Sequence, residues 1–330
     1  MLQYEKIKNV EIELSSNCTA TCPLCSRNMF GYNMDLGFKK LNLTLDQVTT
    51  LLDPAFVKQL TGIIFQGNFG DLSSNKETPD IVSYLLKNNP DLKLEGHTHG
   101  NLQNNEWWAS LVGMHIEFAL DGLGDTHSLY RRNTSWSKTV EHAKAFVDAG
   151  GVATWKMIEF DHNRHQINEC KHMAKDLGMH FKLIPNNKSN GPVFNQKKEY
   201  LYSINDYQGS TKFEDYIHQD ILLEDVNTQP VDYIRCNSLH GKGIYIQSNG
   251  EVFPCCYMGH FPNTYGKGNW AEPYNKQLLE LIEENNALEY GIKHSIKWFE
   301  KIPTTWDIDN FEDGRLLYCH SNCGKCTEKG

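Results

Sequence analysis

Cysteine is the residue of this sequence with the most chemistry to offer, and it is clustered. Cys18, Cys22 and Cys25 lie together near the start, and Cys236, Cys255, Cys256, Cys319, Cys323 and Cys326 lie towards the end. Of ten cysteines only Cys170 stands alone, in a helical stretch where it reads as a buried structural thiol. In the first group three residues separate Cys18 from Cys22, and two separate Cys22 from Cys25. Three thiolates on one short loop can each hold one iron of a cubane cluster, and Pro23 keeps that loop out of helix. The fourth iron then has no protein ligand, and an open metal position is what chemistry on a bound small molecule requires. The same spacing also suits three quarters of a zinc site, completed by one of the 14 histidines.

The elements that must position these thiols follow from the hydrophobic pattern. Between residues 9 and 184, β-type runs alternate with helical ones. Strands are expected at 9–14, 62–66, 92–96, 115–120, 152–158 and 179–184, and helices at 44–52, 79–87, 105–112, 137–149 and 165–177. Thr44 and Asp46 give the first helix a start signal, Pro79 sits in a first turn, and Gly150–Gly151 closes the fourth. Strict alternation predicts an α/β fold with a parallel sheet and helices outside it. Six units predict a partial (β/α)6 TIM-like barrel rather than the eight-unit form. The first thiol group directly follows the first strand, and ligands of such sheets bind at the carboxyl ends of strands.

After Pro185 the texture changes. Residues 186–215 are polar and punctuated by Gly, Asn and Ser, and read as a linker or substrate-facing loop. Between 230 and 260, GIYIQ, the turn SNG and EVFPCC form a hairpin pattern, and residues 271–300 look helical. The formal net charge of −9 argues against a nucleic-acid backbone as main partner. No run of 18 apolar residues suggests a membrane span, and the opening MLQYEKIKNVEIEL lacks the apolar stretch of an export signal. A cytoplasmic protein is expected, with its thiols reduced and available to metals.

The motif CxxxCxxC after the first strand of a βα array resembles the radical S-adenosylmethionine (SAM) superfamily. That resemblance implies a [4Fe–4S] cluster on Cys18, Cys22 and Cys25 whose open iron chelates the amino and carboxylate groups of SAM. It implies reductive cleavage of SAM to a 5′-deoxyadenosyl radical, which takes a hydrogen atom from a substrate. Three further segments sit where the superfamily has motifs. FQGNFGDL (65–72) is similar to the Gly-Gly-Glu-Pro segment that cradles the SAM amino group, with Gly67, Gly70 and Asp71 as the implied contacts and Leu72 where proline is usual. HTHGNLQNNEWWASL resembles a Thr-Asn-Gly segment followed by a Trp-Trp helix, with His99 replacing the usual asparagine. FALDGLGDTHSLYRR is similar to a Ser-Ile-Asp-Gly segment, which implies Asp121 at the SAM ribose and Arg131 on a carboxylate. The resemblance covers roughly residues 8 to 184. Each segment alone is also an ordinary turn; their recurrence at successive strand ends carries the weight.

The second thiol group resembles the SPASM and twitch extensions that hold auxiliary clusters. Cys236-x13-Gly250-x4-Cys255 and the tail YCHSNCGKC bring a hairpin towards a CxxC. The middle cysteine run of a full SPASM domain is missing, which favours a twitch-like extension with one auxiliary [4Fe–4S] cluster. The implied ligands are Cys236, Cys255, Cys323 and Cys326, with Cys319 as an alternative to one of the last two and Cys256 as a packing neighbour. A structural zinc site on the same four residues is the competing reading. The resulting expectation is a radical SAM core over 1–190, a linker or substrate-facing loop over 191–229, and a small iron–sulfur α+β extension over 230–330. It would oxidise or modify a peptide or small polar metabolite, drawing electrons from a donor such as flavodoxin or ferredoxin. The alternative is an iron–sulfur or zinc binding or electron-transfer protein that never cleaves SAM.

Overall fold

The computed structural model describes residues 2–33, 39–186, 190–217, 231–264, 272–309, 311 and 313–325. Strands β1 (Asn9–Ile12), β2 (Asn28–Met29), β3 (Tyr32–Asn33), β4 (Gly62–Phe65), β5 (Lys93–Thr98), β6 (Met114–Ala119), β7 (Val152–Ile158) and β8 (His180–Ile184) include all six that the alternation predicts. Between them run helices α1 (Leu45–Leu51), α2 (Pro54–Gln59), α3 (Thr78–Asn88), α4 (Asn105–Ala109), α5 (Gly124–Tyr130), α6 (Trp136–Asp148) and α7 (Ile167–Asp176). The expected first helix stops at Leu51 because Asp53–Pro54 starts a second one, capped by the Asp53 carboxylate on the Ala55 and Phe56 amides.

Later strands are β9 (Gly191–Phe194), β10 (Tyr200–Ile204), β11 (Tyr233–Ile234), β12 (Gly243–Ile246), β13 (Val252–Phe253) and β14 (Gly324–Lys325). The main sheet runs β13-β12-β1-β4-β5-β6-β7-β8, and only the β12–β13 pair is antiparallel. This open, mostly parallel sheet with helices against one face is the partial barrel that the sequence predicts.

Alternation along the strands gives the sheet two unlike faces. Val10, Phe65, Leu94, Phe118 and Trp155 are buried against Val48, Phe56, Leu85, Trp108 and Phe146 of the helices. The residues between them, Glu11, Glu95, His97, Glu117, Lys156 and Lys182, face the other way. A parallel sheet covered on both sides by helices would be apolar throughout. A charged concave face is that of a lumen.

Two segments take places that the sequence reading did not give them. β12, read from sequence as part of the extension, lies beside β1 in parallel, with Asn9 opposite Gly243 and Ile12 opposite Ile246. Its turn into β13 places Gly250 at φ +90°, the left-handed region that glycine enters freely. Residues 191–204, read as linker or loop, form the β9–β10 hairpin; Pro192, Val193 and Phe194 are buried, and the polar residues fall in its turn. The stretch read as one helical region over 271–300 is broken into short helices, Glu272–Leu281, Ala287–Tyr290 and Ile292–Ser295. Gly291 at φ +76° separates the last two. Cys170 is fully buried in α7, as expected. No helix among the described residues is long and apolar enough to cross a membrane.

Trp155 links this core to the strand ends, because its ring is fully buried on the helix side while Nε1 donates to the Leu120 carbonyl at 2.7 Å. Trp155→Ala is expected to lower stability by about 3–5 kcal/mol, the range for emptying a buried indole site. Urea unfolding of the full-length protein measures it; a loss below about 1 kcal/mol would show that the site collapses without cost.

Candidate functional site

The chain leaves β1 and enters the thiol loop through a buried turn, where Ser16 N–H donates to Leu41 O at 2.9 Å. The loop is tied to itself and to its surroundings by its backbone. Cys25 N–H donates to Cys22 O, Asn28 Nδ2 also donates to Cys22 O, and Arg27 donates to Cys18 O at 3.1 Å. Thr21 N–H donates to Arg132 O, and Asn133 Nδ2 donates to Thr19 O, which docks the loop on the end of α5. Cys22 is buried, while Cys18 and Cys25 are half-buried. Ala20, Cys22, Tyr130, Phe160, Val193 and Ile204 form a small apolar cluster around them. The β9–β10 hairpin therefore covers the thiol loop and keeps water from one side of it.

Asp121 and Arg131, singled out from sequence, meet here. The Asp121 carboxylate is fully buried; Oδ2 lies 2.5 Å from Arg131 Nε, and Oδ1 accepts from Ile158 N–H at 2.6 Å. Arg131 Nη1 reaches the Cys22 sulfur at 3.7 Å, and the guanidinium carbon stands 5.1 Å above the Tyr130 ring. Burial pushes the Cys22 thiol up to about 11, and the Arg131 charge opposes that push. Burial also raises the Cys18 thiol, with Asp71 adding to the effect. For Arg131 the desolvation cost is outweighed by Asp121 and Cys22, so its proton is held more tightly than usual.

The segment after β4 is organised by two carboxylates. Asp71 accepts from Ser73 N–H, Ser73 Oγ and Thr98 Oγ1 on one oxygen, and from His99 N–H at 2.7 Å on the other. It thus knits the ends of β4 and β5 together with its carboxylate turned inwards. Sequence reasoning missed Glu13, which is buried beneath the same segment and accepts from Phe69 N–H at 2.6 Å and Gly70 N–H at 2.9 Å. Burial raises its carboxyl to about 7 despite those donors. Gly67 and Gly70 are required by contact. A Cβ at Gly67 would run into the Glu13 carboxylate, and one at Gly70 would run into the Ser15 carbonyl oxygen. The available signal was phase: Glu11 and Glu13 alternate with apolar residues in a strand that should bury both faces. Arg27, also missed, lies between Glu13 and Cys18, whose ionisation its charge favours. Its Nε is buried with no hydrogen-bond partner among the described residues.

The second thiol group assembles from three elements. Cys236 caps the short helix Asn237–His240, Cys255 follows β13, and Cys319 and Cys323 lie on the helix Leu317–Cys323. Pairing of β11 with β14 brings the chain before Cys236 against the end of that helix, and Arg235 N–H donates to Cys323 O at 3.0 Å. Burial raises the Cys255 thiol, and Cys319, Cys236 and Cys323 raise it further, so the four lie within electrostatic reach of one another. Cys319, which the sequence held as an alternative, is buried in this neighbourhood. Cys326 lies outside the described residues. Cys256 turns away from this group towards Glu11. Pro254 and Cys255 border a cavity of about 350 Å³ that Glu11 and Glu95 also line.

Both donor sets fit iron–sulfur clusters in their chemistry. Buried thiols with raised pKa need positive charge before they can persist as thiolates, and metal supplies it. At the first set Arg131 supplies part of it, and the orphaned Arg27 Nε is a donor left over for a ligand. No three metal-binding side chains among the described residues converge on one point as the ligands of a single ion do. The thiolates of a cubane stand on separate corners, one to each iron.

No protein-family model and no curated protein matches the sequence. Solved structures do match the fold. SuiB from Streptococcus suis superposes with a TM-score of 0.58 at 12% identity, over 96% of this chain and 72% of its own. The same protein bound to precursor peptide SuiA gives 0.53 at 12% identity, over 97% and 73%. Histidine-tagged anSMEcpe with bound AdoMet gives 0.51 at 14% identity, over 96% of this chain and all of its own. These likenesses establish the fold that the motif resemblance implies.

The buried Asp121–Arg131 pair makes a test of the site. Asp121→Ala is expected to cost about 3–5 kcal/mol, because it strands a desolvated guanidinium. Combining Asp121→Leu with Arg131→Met should recover most of that loss in thermal or denaturant unfolding. A double variant no better than the single one would mean that the pair contributes through shape rather than charge.

Proposed function

We propose that the chain is a radical SAM enzyme whose cluster is held by Cys18, Cys22 and Cys25, acting on a peptide or small polar metabolite. One observation carries the reading. The three thiols sit on a covered loop at the carboxyl end of β1, and the Asp121–Arg131 pair from the end of β6 reaches the sulfur of Cys22. When bound, the cluster and SAM supply one-electron cleavage of a sulfonium–carbon bond and abstraction of a hydrogen atom from the substrate.

The protein's own residues do the positioning. Gly67 and Gly70 let the backbone after β4 lie directly against Glu13 and Ser15, with Asp71 holding it from the side, which fixes the path of this strand end. Arg131 places a fixed positive charge beside Cys22, where it would favour the thiolate and would pair with a ligand carboxylate. The β9–β10 hairpin shields the loop from water, which protects reactive species.

In this reading the second thiol group holds one auxiliary [4Fe–4S] cluster, its ligands drawn from Cys236, Cys255, Cys319, Cys323 and Cys326. Cys255 borders the cavity that Glu11 and Glu95 line, so these cysteines would hold a cluster at its edge, which suits a net oxidation. A cytoplasmic location and an external donor such as flavodoxin or ferredoxin complete the proposal. SuiB, which shares the fold, was crystallised with a precursor peptide; that supports peptide substrates alongside small metabolites.

The test is anaerobic reconstitution with SAM and dithionite. The wild type should form 5′-deoxyadenosine and carry about eight irons. The Cys18/Cys22/Cys25→Ala triple variant should form none and keep about four irons, seen as a [4Fe–4S] signature in Mössbauer spectra. Undiminished 5′-deoxyadenosine from the variant would overturn the first assignment. Zinc, or no metal, in the variant would overturn the second.

A further inference from the structure

The concave face of the sheet carries a charged cluster that no step so far uses. His97 on β5, Glu117 on β6, Lys156 on β7 and Lys182 on β8 project from four adjacent strands, alternating with residues that pack on the helices. Glu117 Oε1 lies 2.5 Å from Lys182 Nζ, and Oε2 lies 3.0 Å from Lys156 Nζ and 3.3 Å from His97 Nε2. A single carboxylate thus serves two ammonium groups. Burial and Lys156 push His97 down to about 4, so it adds no charge near neutrality, and the cluster carries a net positive charge. Each ammonium has three donors, and Glu117 takes one from each.

Over β6–β8 one carboxylate faces two ammonium groups, while the acidic Glu11 and Glu95 lie towards β1 and β5, so the lysine end of the face is locally cationic. It is also accessible: the Lys182 side chain is 48% exposed and that of Lys156 25%, against 9% for Glu117. The cluster also lies in the carboxyl-terminal halves of β5, β6 and β7, on the strands that lead to His99, Asp121 and Ile158. A ligand seated on the lysines would therefore lie in the lumen beneath the strand ends that carry the thiol loop and the Asp121–Arg131 pair.

We propose that Lys156 and Lys182 dock an anionic group of the substrate, a carboxylate or a phosphate, and that Glu117 competes with that anion for the two ammonium groups. Only the word substrate rests on the radical SAM reading; the anion site stands on the lysine geometry alone. Glu117 shows what the pair accepts, since two ammonium groups already share one of its carboxylate ends. Its removal should leave both lysines free for an outside anion.

Isothermal titration of the anaerobically reconstituted full-length protein with succinate, and separately with inorganic phosphate, at low ionic strength tests this. At least one anion is expected to saturate the wild type, and the tighter of the two identifies the group. Its Kd should rise about tenfold or more in Lys156→Gln and in Lys182→Gln, as for loss of a charge-assisted hydrogen bond. It should fall in Glu117→Gln, a gain that a purely structural network would not produce. Lys182, half-exposed on the edge strand, is the variant that separates binding from folding, and its thermal unfolding midpoint is recorded alongside. Saturation by neither anion, or an unchanged Kd in Lys182→Gln, overturns the proposal. Formation of 5′-deoxyadenosine by the wild type is measured in parallel. Its absence would defeat the radical SAM reading and leave the anion site standing.

Discussion

A guanidinium does not shed its proton inside a protein, so the largely enclosed Arg131, its side chain 17% exposed, constrains everything around it. The charge must be answered nearby, and the answer is Asp121, itself without any exposure to water. Asp121 in turn needs donors for its other oxygen and takes the Ile158 amide at the end of β7. The carbonyl of Asp121 accepts from Asn163, and that of Leu120 accepts from the indole of Trp155. One unavoidable charge thereby fixes the ends of β6 and β7, the end of α5 and, through Cys22, the thiol loop. A pair of this kind adds little net stability over an apolar replacement. What it provides is placement of a positive charge beside a buried sulfur.

The same economy governs the loop after β4. Glu13 and Asp71 are acidic residues whose hydrogen bonds go mainly to backbone amides and neighbouring hydroxyls, so each acts as a clamp on chain direction. Between them Gly67 and Gly70 are pressed so close to Glu13 and Ser15 that neither position has room for a side chain. Three strand ends, those of β1, β4 and β5, are consequently held together. Such advance placement is what limits the entropic cost of binding.

The two thiol groups are mechanically joined. β1 leads into the first, and its neighbour β12 leads through the β13 turn to Cys255, so both hang from adjacent parallel strands of one sheet. The unlike faces of that sheet complete the arrangement. Its convex face is sealed by helices, and its concave face carries Glu11, Glu95, Glu117, Lys156 and Lys182, of which Glu11 and Glu95 line a cavity that Cys255 borders. Acidic side chains line the β1–β5 side, and the lysines line the β7–β8 side.

The sequence alone determined the alternation of strands and helices, because the periods 2 and 3.6 are written locally in apolar spacing. It determined the first thiol group for the same reason: three ligands on one short loop need no tertiary structure to be adjacent. Asp121 and Arg131 were both singled out from sequence as ligand contacts, but their pairing with each other is a fact of the folded chain. Pairings across long stretches of chain were left to tertiary structure. Nothing local tells β12 that it will lie beside β1, since a short apolar run suits a hairpin and a parallel sheet equally well. Nor does spacing choose among Cys319, Cys323 and Cys326, because helix Leu317–Cys323 and its approach to Cys236 arise from the β11–β14 pairing. The Glu117–Lys156–Lys182 cluster was invisible for a related reason, and the phase of Glu13 did not by itself reveal what it clamps. A charged residue in a strand reads as solvent-facing until the sheet curves, and only curvature turns a set of separate surface charges into the wall of a cavity.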